Sequence, residues 1–337
     1  AMSLHFDELD WQPDSARLFT TLRDLPFPAW LDSAQPWAGN GRYDILVAAP
    51  NADTPPAPVG NAPAATWRSY FDSLAQYHRE HYAGIAPAGQ RLPFCGGLLG
   101  YLGYEPGNAL HAVVHSQAST VTTPAARIGA YDWCLLQDHL LRRSVLVSLP
   151  WVSPATRRAL RLRLQSAQEP VPGNDFKLLG SFTPSIDRDH YRAAFARIQE
   201  YIQAGDCYQV NLAQRFEAPY SGDPFAAYQI LREVAAAPFS GYLQLADQQA
   251  LLCLSPERFL SLQGQQVETR PIKGTRPRFA DPARDLRSAR ELRNSPKDRA
   301  ENLMIVDLLR NDLGHSCVPG SIHVDQLFAL ETYPTVH

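Results

Sequence analysis

Residues 255–278 read SPERFLSLQGQQVETRPIKGTRPR and combine two short apolar runs with a basic loop. We predict strands over residues 258–262 and 266–272. In the stretch over 269–278, Gly274 allows the backbone to approach a ligand closely, and three arginines with Lys273 concentrate positive charge in a slightly acidic chain. The segment therefore predicts an anion site, with a basic solvent loop as the equal alternative.

Glu257 stands 16 residues before Lys273, at the junction of two apolar strands. Burial at such a junction would raise the pKa of the carboxyl group and make it a proton donor. We therefore take Glu257 as a candidate acid beside the basic loop.

A helix is predicted over residues 296–311. Ser295 is suited to the N-cap position, Pro296 to the first helical position and Asp298 to a capping box. Asp298 and Glu301 are three residues apart and share one face of this helix. On the helix alone, a solvated acidic edge is the simpler interpretation of the pair.

The rest of the chain reads as a mixture of helices and strands. A helix over 186–204 has an apolar stripe, a cap at Ser185 and a stop at Gly205. Further predictions in this half are a strand over 209–216 and helices over 223–234 and 282–293. The N-terminal half alternates strand-like runs with a helix over 69–82, so the fold class is predicted to be α+β.

The stretch over residues 165–183 contains proline and glycine and has no periodicity, so we place the domain boundary there. We predict an N-terminal subdomain over residues 1–165, a linker over 166–184 and a second subdomain over 185–337. The glycine-rich run at 93–104 lacks the Gly-Lys-Ser/Thr of a phosphate loop, and its alternation with bulky residues favours a strand packed closely against another backbone.

Composition excludes several classes of protein. The 337 residues include 31 basic and 34 acidic side chains, which leave no general positive field for nucleic acid. No apolar run approaches the roughly 18 residues of a membrane span. The five cysteines form no CxxC pair, and no export signal is visible, so we expect reduced thiols and a cytoplasmic location.

Several long motifs, in one order, support a family resemblance. They lie at residues 205–212, 255–259, 270–278, 298–308 and 310–313. With them the chain resembles the chorismate-utilising enzymes, and within that family the branch of component I aminodeoxychorismate synthases. The resemblance implies an anthranilate synthase component I-like sandwich of two large, mostly antiparallel sheets with outer helices, here truncated, and a substrate cleft between the sheets.

Two positions distinguish branches of the family. Anthranilate synthases carry Ala where this chain has Lys273, and isochorismate and salicylate synthases use a lysine at the position of Gln209 to activate water. The resemblance therefore implies amination of chorismate at C4, with ammonia supplied from glutamine by a partner amidotransferase, in 4-aminobenzoate and folate biosynthesis. Two alternatives stay open, an anthranilate synthase component I and a non-catalytic tryptophan-binding or assembly fragment.

The resemblance also implies roles for individual residues. Lys273 would attack C2 of chorismate while Glu257 protonates the departing C4 hydroxyl, and Gly274, Thr275 and Arg276 would contact the substrate. An unperturbed lysine, with a pKa of about 10.4, is mostly protonated at neutral pH. Neighbouring arginines, bound Mg²⁺ and partial burial are expected to lower that pKa.

Two ligands besides chorismate follow from the resemblance. Mg²⁺ would be held by Glu301, with Asp298 as a direct or water-mediated neighbour. A pocket for L-tryptophan is expected at Ser33 and at a second segment, although ordinary core packing explains these residues equally well. The second segment comprises Pro238, Phe239, Ser240 and Tyr242.

The family pattern continues beyond residue 337, with a catalytic-site histidine and a second metal-ligating glutamate. We therefore expect residues 1–337 alone to be inactive.

Overall fold

The computed structural model describes residues 3–39, 41–85, 91–113, 122–167, 176–246 and 248–337. The chain divides into two compact units, which comprise residues 1–173 with 227–255 and residues 174–226 with 256–337. We call them unit 1 and unit 2. Residues 168–175 of the predicted linker lie outside the described residues. Residues 227–255 belong to unit 1, whereas the sequence-based division places them in the C-terminal subdomain.

The elements of the described residues are numbered in chain order. The helices are α1 (Ala16–Thr20), α2 (Ala64–His81), α3 (Glu105–Leu110), α4 (Pro154–Gln165), α5 (Arg188–Ala204), α6 (Pro224–Ala235), α7 (Pro282–Asn294) and α8 (Pro296–Gly314). The strands are β1 (His5–Leu9), β2 (Ala29–Asp32), β3 (Tyr43–Val47), β4 (Gly97–Leu102), β5 (Ala126–Tyr131), β6 (Trp133–Asp138), β7 (Arg143–Ser148), β8 (Lys177–Leu178), β9 (Thr183–Pro184), β10 (Phe216–Glu217), β11 (Tyr220–Ser221), β12 (Phe239–Ala246), β13 (Gln249–Ser255), β14 (Arg258–Gln263) and β15 (Gln266–Arg270). No helix in these ranges is both long enough and apolar enough to span a membrane.

Unit 1 is built on a seven-stranded antiparallel sheet in the order β1-β7-β6-β3-β2-β12-β13. Strand β6 is buried along its whole length, because it lies inside the sheet and contributes to the apolar core. Helix α2 buries Trp67, Tyr70, Leu74 and Tyr77, whose spacing of three and four residues forms one face. Mixed helices and antiparallel strands confirm the α+β class.

The glycine-rich run forms β4, which pairs with β5. A Cβ on Gly100 would lie 1.8 Å from the carbonyl oxygen of Arg127, so only glycine fits there. The predicted close strand packing is confirmed.

Unit 2 carries its described strands as two-stranded sheets, β9 with β10, β8 with β11 and β14 with β15. Within the described part of unit 2 there is therefore no second large sheet of the kind that the resemblance implies. Strand β15 ends at Arg270 because Pro271 has no N–H to continue the ladder.

The helices predicted in unit 2 are present. Helix α5 begins two residues later than predicted, because Asp187 rather than Ser185 caps it by accepting a bond from the N–H of His190 at 2.8 Å. Gly205 ends it with φ of +82°. The strand predicted over 209–216 is wrong except for its last residue, since β10 spans only Phe216–Glu217.

Candidate active site

The β14–β15 hairpin brings the two predicted catalytic residues to one end. Arg258 pairs with Arg270, so the residues just outside that pair are neighbours. The Glu257 carboxylate accepts a bond from the N–H of Ile272 at 3.2 Å, immediately before Lys273. Glu257 is exposed, so the burial expected from its apolar flanks is absent, because β14 pairs with β15 alone.

Gly274 lets the loop after Lys273 pass directly over α8. Its φ is +81°, and a Cβ at this position would lie 2.9 Å from Cβ, Cγ and Oδ1 of Asp298. Glycine is thus required here both by backbone conformation and by space. Lys273 is half-buried, and its amine makes no hydrogen bond or ion pair among the described residues.

Arg276 ties the loop to α8. Its Nη2 lies 2.9 Å from Oδ2 of Asp298, and its Nη1 donates to the carbonyl of Thr275 at 2.9 Å. Ser295 caps α8 by accepting from the N–H of Asp298 at 3.2 Å. The Ser295 hydroxyl and the charge of Arg276 lower the pKa of the Asp298 carboxyl group.

Arg278 ties the same loop to α7. Its Nε lies 2.9 and 3.0 Å from the two carboxylate oxygens of Asp285. Hydrogen bonds from Arg278, from the N–H of Phe279 and from His337 lower the pKa of Asp285 to about 2. Both loop arginines are thus paired with carboxylates.

A short antiparallel bridge joins the loop to residues 335–337. Pro277 pairs with Val336, and Arg276 and His337 exchange backbone bonds at 3.2 and 2.8 Å. The His337 ring lies 3.0 Å from Asp285 through Nε2 and 3.1 Å from the Thr332 hydroxyl through Nδ1. Sequence reasoning did not single out Asp285, because a carboxylate in a first helical turn has an ordinary explanation in the helix dipole.

The predicted magnesium ligands lie one turn apart on α8. Glu301 is half-buried, and its Oε1 is 3.7 Å from Nζ of Lys297. The described residues contain no group of three or more His, Cys, Asp or Glu side chains arranged to hold a metal ion. Mg²⁺ commonly binds through one or two carboxylates and keeps several waters. Glu301 fits that mode, whereas Asp298 is already engaged by Arg276.

The predicted tryptophan-pocket residues meet in unit 1, where β12 pairs with β2. Ser33 donates from its N–H and its hydroxyl to Oδ1 of Asp44 at 2.8 and 2.7 Å. The Ser240 hydroxyl donates to the carbonyl of Ala237 at 2.7 Å, and Tyr242 is fully buried. Pro238 directly precedes Phe239, the partly exposed first residue of β12. Bound tryptophan stays a prediction.

A buried charge network beside this region was not predicted. Arg232 is 1% exposed, and its Nε and Nη2 donate to Asp32 at 2.6 and 2.9 Å. The Tyr228 hydroxyl donates to Asp32 at 2.8 Å, and Arg232 also reaches Asp14 at 2.9 Å. The sequence carried no signal for this pairing, because Asp32 and Arg232 are 200 residues apart.

Comparison with known proteins supplies the family. Residues 29–337 match the family described as chorismate binding enzyme. Aminodeoxychorismate synthase component 1 from Klebsiella aerogenes is 40% identical over 98% of this chain and 73% of its own length. Anthranilate synthase component 1 from Streptomyces coelicolor is 32% identical over 91% of this chain and 60% of its own.

A solved structure agrees in fold. Anthranilate synthase component I from Streptococcus pneumoniae superposes with a TM-score of 0.64 and 24% identity, over 88% of this chain and 68% of its own. The family match over residues 29–337 and the 40% identity with the K. aerogenes protein show that the chain belongs to the chorismate-binding enzyme family.

Proposed function

We propose that this chain aminates chorismate at C4, forming 4-amino-4-deoxychorismate as the synthase component of 4-aminobenzoate and folate biosynthesis. The observation that carries the proposal is the hairpin end, where the Glu257 carboxylate reaches the backbone directly beside Lys273. Glu257 bonds the N–H of the residue that precedes Lys273. The 40% identity with a component 1 aminodeoxychorismate synthase supports the same function.

In the proposed reaction the Lys273 amine attacks C2 of chorismate and the C4–O bond breaks. Glu257 gives its proton to the departing hydroxyl, which leaves as water, since hydroxide is a poor leaving group without an acid. Ammonia then bonds to C4 while the C2–N bond to Lys273 breaks. The neutral lysine amine is regenerated, and one proton of the new C4 ammonium group returns to Glu257.

The loop residues would hold the substrate in place. Gly274 and Thr275 offer backbone N–H groups next to Lys273, and Arg276 is held 2.9 Å from Asp298 at the same turn. We propose that the backbone N–H groups of Gly274 and Thr275 contact a chorismate carboxylate. The Arg276 side chain serves chiefly to fix the loop, because its charge is already paired with Asp298.

Mg²⁺, held by Glu301 with Asp298 nearby, would supply a positive charge for a substrate carboxylate. A glutamine amidotransferase partner would supply the ammonia, in keeping with the component 1 name of the K. aerogenes relative. We propose a cytoplasmic location, since the five cysteines are free thiols. L-tryptophan at the β2–β12 region would be a structural or regulatory ligand.

Replacement of Lys273 tests the proposal. Lys273→Met in the complete gene product, supplied with chorismate, Mg²⁺ and an ammonium salt, is expected to lose formation of the para-aminated product. Lys177→Met, an exposed lysine in β8, is the matched control and should retain it. Undiminished product formation by Lys273→Met would reject the proposed nucleophile.

Product identity separates the enzymatic alternatives. Chromatography that finds anthranilate instead of 4-amino-4-deoxychorismate would establish the anthranilate synthase reaction. Running residues 1–337 beside the complete gene product tests whether this stretch alone is inactive. For the non-catalytic alternative, calorimetry with tryptophan and with chorismate plus Mg²⁺ decides, because a tryptophan-binding module responds only to the former.

A further inference from the structure

One carboxylate connects three parts of unit 2. Asp285, in the first turn of α7, accepts from the N–H of Phe279 at 2.9 Å and lies 3.0 Å from Nε2 of His337. The Nε of Arg278 lies 2.9 and 3.0 Å from its two oxygens. Asp285 therefore joins the start of α7, the loop that follows Lys273 and the segment that ends at His337.

The parts joined by Asp285 also contact one another. Arg278 donates from Nη1 to the carbonyl of Tyr333 at 2.9 Å and from its backbone N–H to Thr335 at 3.2 Å. The hydroxyl of Tyr333 donates to the carbonyl of Pro256 at 3.2 Å, next to Glu257. A continuous set of bonds thus runs from Asp285 to the flank of the candidate acid.

The His337 ring and the Asp285 carboxylate have little access to water. The side chain of His337 is 5% exposed and that of Asp285 is 17% exposed. Removal of the carboxylate would leave the Phe279 N–H, the His337 ring and the Arg278 guanidinium without their acceptor. Unsatisfied donors of this kind cost more than the bond itself contributes, so the loop would shift to find other partners.

We propose that Asp285 is a positioning residue for the amination reaction. Acting through Arg278 and His337, it fixes the loop that carries Lys273 against residues 332–337. This role rests on the proposed function insofar as Lys273 is the reacting amine, and Asp285 itself touches no reacting atom. A misplacement of about 1 Å at a reacting group can cost roughly 100-fold in rate.

Amide hydrogen exchange tests whether Asp285 holds the loop against residues 332–337, and this measurement does not require enzymatic activity. In Asp285→Ala we expect the paired amides of Arg276, Arg278 and His337 to exchange about tenfold faster, in line with loss of a net hydrogen bond. Asp285→Asn keeps the shape and an acceptor oxygen, so its effect should be intermediate. Amides in the middle of α8 should be unchanged.

Kinetics of the complete gene product supply the second readout. Asp285→Ala should lower kcat by about 100-fold and change KM less, because a displaced reacting amine costs more in the transition state than in substrate binding. A double variant of Asp285→Ala with Arg278→Gln should be no worse than the poorer single variant, since both changes break one link.

The matched control is Asp281→Ala in the same helix. Asp281 caps α7 by accepting from the N–H groups of Ala283 and Arg284 at 3.3 and 3.2 Å, and among the described residues its side chain makes no hydrogen bond or ion pair with the loop. This variant should lower thermal stability and leave both loop exchange and kcat near the parent values. Equal effects of Asp281→Ala and Asp285→Ala would show a merely structural role and overturn the proposal.

Unchanged exchange at Arg276, Arg278 and His337 in Asp285→Ala would also overturn it. If Asp285→Ala does not fold, the same comparison is made with Asp285→Asn, and parent-like exchange there has the same meaning. Absence of amination by the parent protein would reject the proposed function, and the exchange result would still decide whether Asp285 holds the loop.

Discussion

Gly274 and Gly205 have nearly the same backbone conformation but different surroundings. Their φ angles are +81° and +82°. A Cβ on Gly274 would lie 2.9 Å from the Asp298 side chain, whereas nothing lies within 4 Å of one on Gly205. Comparing substitutions at the two glycines therefore separates the free-energy cost of a side chain in the left-handed conformation from the cost of its clash with Asp298.

Alanine at the two glycines should therefore have unequal effects. We expect Gly205→Ala to lower the free energy of unfolding by about 1 kcal/mol, from the left-handed backbone alone. Gly274→Ala should cost about 3 kcal/mol, because it also forces the loop off α8, and should abolish amination. Urea unfolding of both variants, with the assay above, checks this, and equal losses would show that the contact with Asp298 is unimportant.

Asp285 predicts a pH dependence. Its pKa is lowered to about 2 by Arg278 and its other donors, whereas an unfolded aspartate titrates near 3.9. A carboxylate with a depressed folded pKa stabilises fully above the unfolded pKa, and this stabilisation is lost as pH falls through the folded pKa. Asp285→Asn should thus be less stable than the parent at pH 7. The gap should narrow between about pH 4 and 2.

Urea unfolding at pH 7, 5, 4 and 3 measures that gap. A difference between parent and Asp285→Asn that stays constant over this range would mean that the Asp285 charge contributes nothing to stability.

At the scale of single elements, helices with local signals were predictable, whereas the strand expected over 209–216 was not. Ser295 and Pro296 mark the start of α8, and the structure confirms both positions. The strand expected at 209–216 failed because a strand needs a neighbour to pair with, and its own sequence does not supply one. The proximity of Glu257 to the loop that carries Lys273 could be predicted, because strands β14 and β15 are adjacent in sequence and form a hairpin.

The partners of the loop arginines lay beyond sequence reasoning. Arg276 pairs with Asp298, 22 residues away, and Arg278 with Asp285, seven residues away. Many carboxylates occur at such distances, and tertiary packing decides which of them a guanidinium meets. Positive charge at the loop was therefore predicted correctly, but its neutralisation was not.

The caps of α8 and α4 allow a matched comparison. Ser295 accepts from the N–H of Asp298 at 3.2 Å, and Ser153 accepts from that of Thr156 at 3.1 Å. Each serine-to-alanine change should cost about 1 kcal/mol. Only Ser295→Ala should also raise the pKa of Asp298, because the Ser295 hydroxyl is the leading cause of its low value.

Thermal unfolding and an NMR titration of the Asp298 carboxyl carbon measure the two effects. If the pKa of Asp298 is unchanged in Ser295→Ala, the Ser295 hydroxyl does not lower that pKa and acts only as a helix cap.

At the scale of the whole molecule, the two units differ in how much apolar surface they bury. The apolar clusters of the described residues lie in unit 1, around residues such as Val47, Leu136 and Val147. Helix α2 of unit 1 buries four aromatic and aliphatic side chains, whereas α5 of unit 2, of similar length, buries none. Local opening should follow this difference, because buried apolar contacts resist it.

Hydrogen exchange along the chain should show the contrast. We expect amides in the middle of α5 to exchange about 100-fold faster than those in the middle of α2. Comparable protection in the two helices would indicate that α5 is covered in solution.

The path of the chain also limits how the molecule can be divided. Strands β12 and β13 complete the sheet begun by the first half of the sequence, and Ser240 pairs with Asp32. A protein truncated between the two predicted subdomains would lack β12, which pairs with β2. The edge of β2 would then be unpaired and prone to aggregation. Each unit is made of two separate stretches of the chain, so neither is encoded by one continuous piece of the gene. A chimera with a related protein therefore has to exchange both units together.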